Sequence, residues 1–184
     1  MRLSADGWVA GARRIVSPNF DERPAIAAIS LVVVHAISLP PGEFGGDGVE
    51  RLFTNTLDPD AHPYYRAIAG MRVSAHFLIR RDGELVQFVA CGARAWHAGV
   101  SSWQGRERCN DFSIGIELEG CDESPFTDVQ YARLVALIEA LRARYPIDAI
   151  VGHSDVAPGR KTDPGARFDW QRLRGFDSLL AASR

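Results

Sequence analysis

From residue 29 onward the chain alternates short apolar runs with longer punctuated stretches, a rhythm that predicts strands and helices sharing one core. Ile29 to Val34, rich in β-branched side chains, predicts a strand buried on both faces and ending at His35. The Pro and Gly residues of the next segment cannot continue a strand, and a short helix is expected over Asp47 to Phe53. Leu57 to Arg72 holds another helix, with His62 beside a proline at its start. Val73 to Ile79 and the run LVQFV flank Asp82-Gly83, which predicts a hairpin with His76 in its first strand. In the strand Phe112 to Leu118 alternation sends Phe112, Ile114, Ile116 and Leu118 one way, and Ser113, Gly115, Glu117 and Glu119 the other.

The best-marked helix is Asp128 to Tyr145. Thr127 and Gln130 have capping-box spacing, and Phe126 can staple onto Tyr131. Tyr131, Leu134, Val135, Ile138, Leu141 and Tyr145 form one apolar stripe, which Pro146 stops. A strand running to His153, an open loop and a short helix near Asp169 to Arg174 complete the pattern. The expected fold is α/β (α+β): a single domain, residues 29–184, with a central mixed β-sheet flanked by helices. Residues 1–28 read as an irregular arm packed on that body and pinned by Trp8 and Phe20.

Composition narrows the function classes. A hydrophobic content of 46% and a charged content of 24% are those of a globular domain, and a net charge of -2 gives no support for nucleic acid or an anionic membrane as partner. The start of the chain has no uninterrupted apolar run, so neither a signal peptide nor an anchor is expected. Cys91, Cys109 and Cys121 are widely spaced and form no CxxC, which points to a reducing cytoplasm rather than a disulfide framework.

The candidate chemistry lies at strand ends. His35 and His153 each follow an apolar strand, and parallel neighbouring strands would bring both imidazoles to one rim, where open α/β sheets bind ligands. Asp163, ten residues after His153, is biased toward extended backbone by Pro164, so that it and Lys161 face one side and Thr162 the other. Two histidines and a carboxylate suit a catalytic zinc with its fourth position open to water. Taken singly, each of these residues also has an ordinary structural reading. His76 and His97 read as structural groups or as groups behind the ligands, and His62 carries no assigned role.

The stretches HAISLPPGEFGG, RVSAHFLIRRDGELVQ, RAWHAG, QGRERCNDFSIGIELEG, GHSDVAP and RKTDPGARFDWQRL follow one another in order from about Gly7 to Arg174. Together they resemble the AmpD-type zinc amidases of the peptidoglycan-recognition-protein superfamily. That resemblance implies the N-acetylmuramoyl-L-alanine amidase fold, with one Zn2+ per chain on His35, His153 and Asp163. It implies hydrolysis of the amide between the lactyl group of 1,6-anhydro-N-acetylmuramic acid and L-alanine, in cytoplasmic peptidoglycan recycling, with an indirect restraint on β-lactamase induction. Glu117 falls on the general base and Lys161 on the group that stabilises the oxyanion. Arg72, Trp96 and Arg108 fall on positions associated with the binding groove for a small anhydromuropeptide. A monomer without membrane or nucleic-acid partner is expected.

One position departs from the family. Asn usually follows the first zinc histidine, whereas this chain has Ala36, and the loss of one such hydrogen bond is worth about 0.5–1.5 kcal/mol. Three other readings compete. A recognition module of the same superfamily holds muropeptides without cutting them, typically after losing a zinc ligand. A Cys-His hydrolase would use Cys91 or Cys109 and needs a low thiol pKa. An amidase of the envelope would need an export signal.

Overall fold

The computed structural model describes residues 1–181. The first elements are β1 (Arg13–Arg14), β2 (Phe20–Asp21), β3 (Leu31–Ile37), α1 (Gly48–Phe53) and α2 (Pro63–Ile68). The hairpin strands β4 (Phe77–Ile79) and β5 (Leu85–Gln87) follow, then the short strands β6 (Arg94–Ala95), β7 (Ser102–Trp103) and β8 (Arg106–Glu107). Strand β9 (Ser113–Glu119), helix α3 (Asp128–Arg142), strand β10 (Ala149–Gly152) and the single turn α4 (His153–Val156) come next. A 3-10 turn over Trp170–Leu173 stands where the last short helix was expected.

The central sheet has the order β1-β5-β4-β9-β3-β10. Only the β4–β5 hairpin is antiparallel within it, so the mixed sheet is parallel through its centre. Helix α3 covers one face. Its capping box is formed, and Gln130 donates from Nε2 to the carbonyls of Ile79 and Glu119, tying the helix start to β4 and β9. Leu134, Leu137, Ile138 and Leu141 are fully buried against Val32, Val34, Ile114, Ile116 and Leu118. Complete burial of each such side chain stabilises the fold by about 1.5–3 kcal/mol. Leu137, not counted in the sequence stripe, belongs to it, whereas Val135 is half-buried.

The opposite face of β3 and β9 is different in kind. Leu31 and Val33 pack there against Ala98, Cys109 and Val151, and farther along the strands the same face turns polar at His35 and Glu117. Both predicted strand boundaries moved. His35 sits inside β3, because β3 stays paired with β9 as far as Ile37↔Glu119. Residues 73–76 lie outside β4, since the Ser74 N–H donates to the Trp96 carbonyl.

The arm is woven into the body rather than laid over it. Strand β1 extends the sheet beside β5, and Gln87 clamps the arm by accepting from the Val9 N–H at 2.8 Å and donating to the Gly7 carbonyl at 2.8 Å. Gly7 has φ +84°, and a Cβ there would lie 2.9 Å from the Cys91 nitrogen. Trp8 is half-buried with the Arg14 guanidinium 3.6 Å from its ring centroid. Phe20 does not pin the arm through its ring, which is 40% exposed; its backbone pairs with Ala95. Among the described residues no helix is long and apolar enough to cross a membrane.

Candidate metal centre

The parallel register puts the polar residues in one row. His35 on β3 is the direct partner of Glu117 on β9, and Gly152 on β10 is the partner of Val34. His153, the next residue along, therefore starts α4 beside His35. The loop after α4 returns to the same place, held by the Ser154 N–H donating to the Asp163 carbonyl at 2.9 Å. The histidines and Asp163 thus meet although far apart in the chain.

Their ligand atoms form a closed triangle. His35 Nδ1 lies 3.0 Å from His153 Nδ1, and each of these nitrogens is 3.1 Å from Asp163 Oδ2. His153 Nε2 faces the Ala98 carbonyl at 3.2 Å, and a carbonyl can only accept. The proton of neutral His153 therefore sits on Nε2, leaving a lone pair on Nδ1 aimed at a carboxylate oxygen. Two acceptors facing at that distance repel unless a cation lies between them. Tetrahedral zinc bonds of about 2.0–2.1 Å separate ligand atoms by roughly 3.3 Å, so the triangle and its N,N,O donor set fit the ion. The residues present fit zinc.

Electrostatics agree with that use. Burial holds His35 down at about 4, against the raising effect of its hydrogen bond to Asp163, so its imidazole is neutral over the physiological range, as a metal ligand would need to be. Burial acts to raise Asp163, but the two imidazoles of His153 and His35 beside it outweigh that and lower it, which favours the ionised carboxylate. Glu117 is the opposite case. Only 8% exposed, it is pushed well above the ordinary carboxyl range by burial and by the Asp163 charge, with Lys161 opposing. Its Oε2 is buried without a hydrogen-bond partner among the described residues.

A cavity of about 520 Å³ opens on this row. Glu117, Lys161 and Trp96 line it together with the triad, so the structure brings those predicted residues together. Thr162 lines it too, rather than facing away, because its hydroxyl donates to Asp122 Oδ2 at 3.1 Å. Arg72 is exposed and does not line the cavity, although its neighbours Met71 and Val73 do. Arg108 stands apart as well, paired with Asp111 at 3.3 Å beside an adjoining cavity. Arg160, which the sequence reading passed over, lines both cavities and donates to the carbonyls of Ala98 and Val100 at 2.6 and 2.7 Å. A basic residue next to Lys161 in the loop that carries Asp163 was the only signal for it. Ala36 lines the cavity as well, so the missing amide falls on a wall of the site.

Two of the three remaining histidines have structural partners. His62 caps α2, its Nδ1 accepting from the Tyr64 N–H at 3.1 Å. His76 is buried, accepting from the Gly115 N–H and facing the Ala93 carbonyl. The thiol alternative finds no support: Cys91 and Cys109 are buried, and burial pushes Cys91 up to about 12 and raises Cys109.

Comparison with known proteins agrees with this geometry. The family model described as N-acetylmuramoyl-L-alanine amidase matches residues 25–166. The 1,6-anhydro-N-acetylmuramyl-L-alanine amidase AmpD of Citrobacter freundii is 63% identical over 176 residues, covering 95% of this chain and 94% of that one. A crystal structure of a selenomethionine AmpD derivative superposes with a TM-score of 0.93 at 60% identity, covering 98% of this chain and 100% of that one. AmiD of Escherichia coli, solved in complex with the substrate anhydro-N-acetylmuramic acid-L-Ala-D-gamma-Glu-L-Lys, superposes with a TM-score of 0.59 at 31% identity, covering 85% of this chain and 65% of that one. The chain therefore belongs to the N-acetylmuramoyl-L-alanine amidase family, and within it to the AmpD amidases.

Proposed function

We propose that this amidase is zinc-dependent, with one Zn2+ held by His35, His153 and Asp163, and that it cuts the amide between the lactyl group of 1,6-anhydro-N-acetylmuramic acid and L-alanine. The observation that carries the reading is the triangle of ligand atoms with edges of 3.0–3.1 Å, in which a lone pair and a carboxylate face one another. Bound there, the ion supplies Lewis acidity, which polarises an amide carbonyl and acidifies water.

The protein's own groups do the rest. Glu117, next to His35 in the sheet register, takes a proton from the attacking water and returns it to the departing alanine nitrogen. Burial raises its pKa above the ordinary carboxyl range, the direction that helps a carboxylate accept the proton of water and pass it on. Lys161 places an ammonium on the cavity wall to stabilise the oxyanion. Trp96 offers its ring to the sugar or the peptide. Arg72 and Arg108, outside the cavity, are assigned to carboxylates of a stem peptide running beyond it, through bidentate pairing.

The reading extends to a monomer acting in the cytoplasm on fragments returned from the wall. Consuming those fragments would restrain their signal for β-lactamase induction. Mass spectrometry of products from a defined anhydromuramyl peptide tests the chemistry. Free 1,6-anhydro-N-acetylmuramic acid and an alanine-headed peptide are expected, with turnover abolished by a chelator and restored by zinc. Turnover that persists through complete metal removal would contradict the zinc assignment.

A further inference from the structure

The two imidazoles of the triangle are oriented from behind by consecutive residues in quite different ways. His153 Nε2 meets the backbone carbonyl of Ala98 at 3.2 Å, whereas His35 Nε2 meets the side chain of His97, its Nδ1 at 3.0 Å. His97 in turn has Nε2 3.2 Å from the Ser113 hydroxyl. Its ring stands edge-on to that of His35, centroids 5.1 Å apart and planes at 86°. Space for it exists only because residue 115 is glycine: a Cβ there would fall 2.4 Å from His97 Cγ. Asn110 Oδ1 accepts from the backbone N–H groups of both His97 and Ala98, at 3.3 and 2.8 Å, and Arg160 donates to the same Ala98 carbonyl that His153 uses.

Hydrogen-bond direction follows from the ends of this chain. A metal on His35 Nδ1 takes that nitrogen's lone pair and leaves the imidazole proton on Nε2. That proton can only be donated, so His97 Nδ1 accepts it, and His97 Nε2–H donates to Ser113. We infer that His97 is a positioning residue of the metal centre, a neutral acceptor that fixes the tautomer and ring orientation of His35, as the Ala98 carbonyl does for His153. Partners of this kind behind a ligand are typically worth 10–100-fold in metal affinity. This inference rests on the zinc reading above and deepens it. It also gives Gly115 and Ser113 a purpose on the polar face of β9.

Substitutions that separate shape from hydrogen bonding test it. His97→Phe keeps a ring over Gly115 but has no acceptor, while His97→Asn keeps an acceptor near the position of Nδ1. Chelator competition should show zinc binding weakened about 10–100-fold in His97→Phe and largely rescued in His97→Asn, with the melting temperature of the metal-free chain nearly unchanged in both. Zinc affinity in a folded His97→Phe within twofold of the parent would overturn the inference. Should that variant not fold, the zinc-loaded parent decides the matter by nitrogen-15 imidazole spectra. Protonated Nε2 with bare Nδ1 on His97 is expected, and the reverse tautomer, or a cationic ring, would overturn it. A parent chain that takes up no zinc would overturn the functional reading and this inference together, whereas zinc bound with the wrong His97 tautomer would overturn the inference alone.

Discussion

Two walls of the same cavity are made in opposite ways. The metal wall rests on the sheet: His35 and Glu117 are paired residues of β3 and β9, His153 directly follows β10, and all three are less than one-tenth exposed. The facing wall comes from Ser38, Leu39 and Pro41 and from α2, a six-residue helix that buries none of its residues. Tyr64, Ile68 and Met71 are its apolar surface toward the cavity, and a bond from the Tyr65 hydroxyl to the Leu39 carbonyl at 3.1 Å joins its two segments. On the proposed reading, His35, His153 and Glu117 serve the chemistry, and the residues of α2 meet the body of the substrate. Substitutions on the first wall should therefore change metal content and kcat, and those on the second chiefly KM.

The largest effect is expected from removing a ligand. Asp163→Ala leaves two facing nitrogens and no charge to balance the ion, so zinc affinity should fall by more than about 100-fold and activity with it, as read by chelator competition. Glu117→Gln comes next and separates the two roles: zinc is retained while kcat falls roughly 10²–10⁴-fold. The same variant has a signature in stability. Glu117 has its folded pKa raised, so its favourable contribution is complete below the unfolded value and is lost as pH rises through the folded one. The metal-free Glu117→Gln chain should therefore be more stable than its parent at neutral pH, an advantage that shrinks toward about pH 4 in urea titrations.

Lys161→Met removes a charge directed at the transition state, and a loss of roughly 10²–10³ in kcat at unchanged zinc content is expected. The smallest effect belongs to the facing wall. Tyr64→Ala forfeits about 1 kcal/mol of apolar contact, so steady-state kinetics should show KM raised about fivefold at nearly constant kcat. A kcat loss there as large as that of Lys161→Met would erase the distinction between the walls.

Residue pattern alone carried the core a long way. Alternation along 112–119 separated the α3 face from the polar face, and the capping box marked the start of α3 correctly. His35, His153 and Asp163 were legible because each is a ligand type placed at a strand end or loop, and the family resemblance joined them. The register that sets His35 against Glu117 was not, since it depends on β9 lying next to β3, an order that no local pattern encodes. Ala98 was invisible for a simpler reason: it orients His153 with its backbone carbonyl, a group every residue has. Arg72 and Arg108 came from resemblance only, and their distance from the cavity lining reflects a surface whose geometry the periodicity does not describe.

Zinc K-edge X-ray absorption on the loaded chain tests the central claim most directly. One zinc per chain, with two imidazoles and a carboxylate oxygen among its ligands and no sulfur, is the predicted result. A sulfur neighbour at about 2.3 Å, or an ion that stays unchanged in His153→Ala, would contradict it.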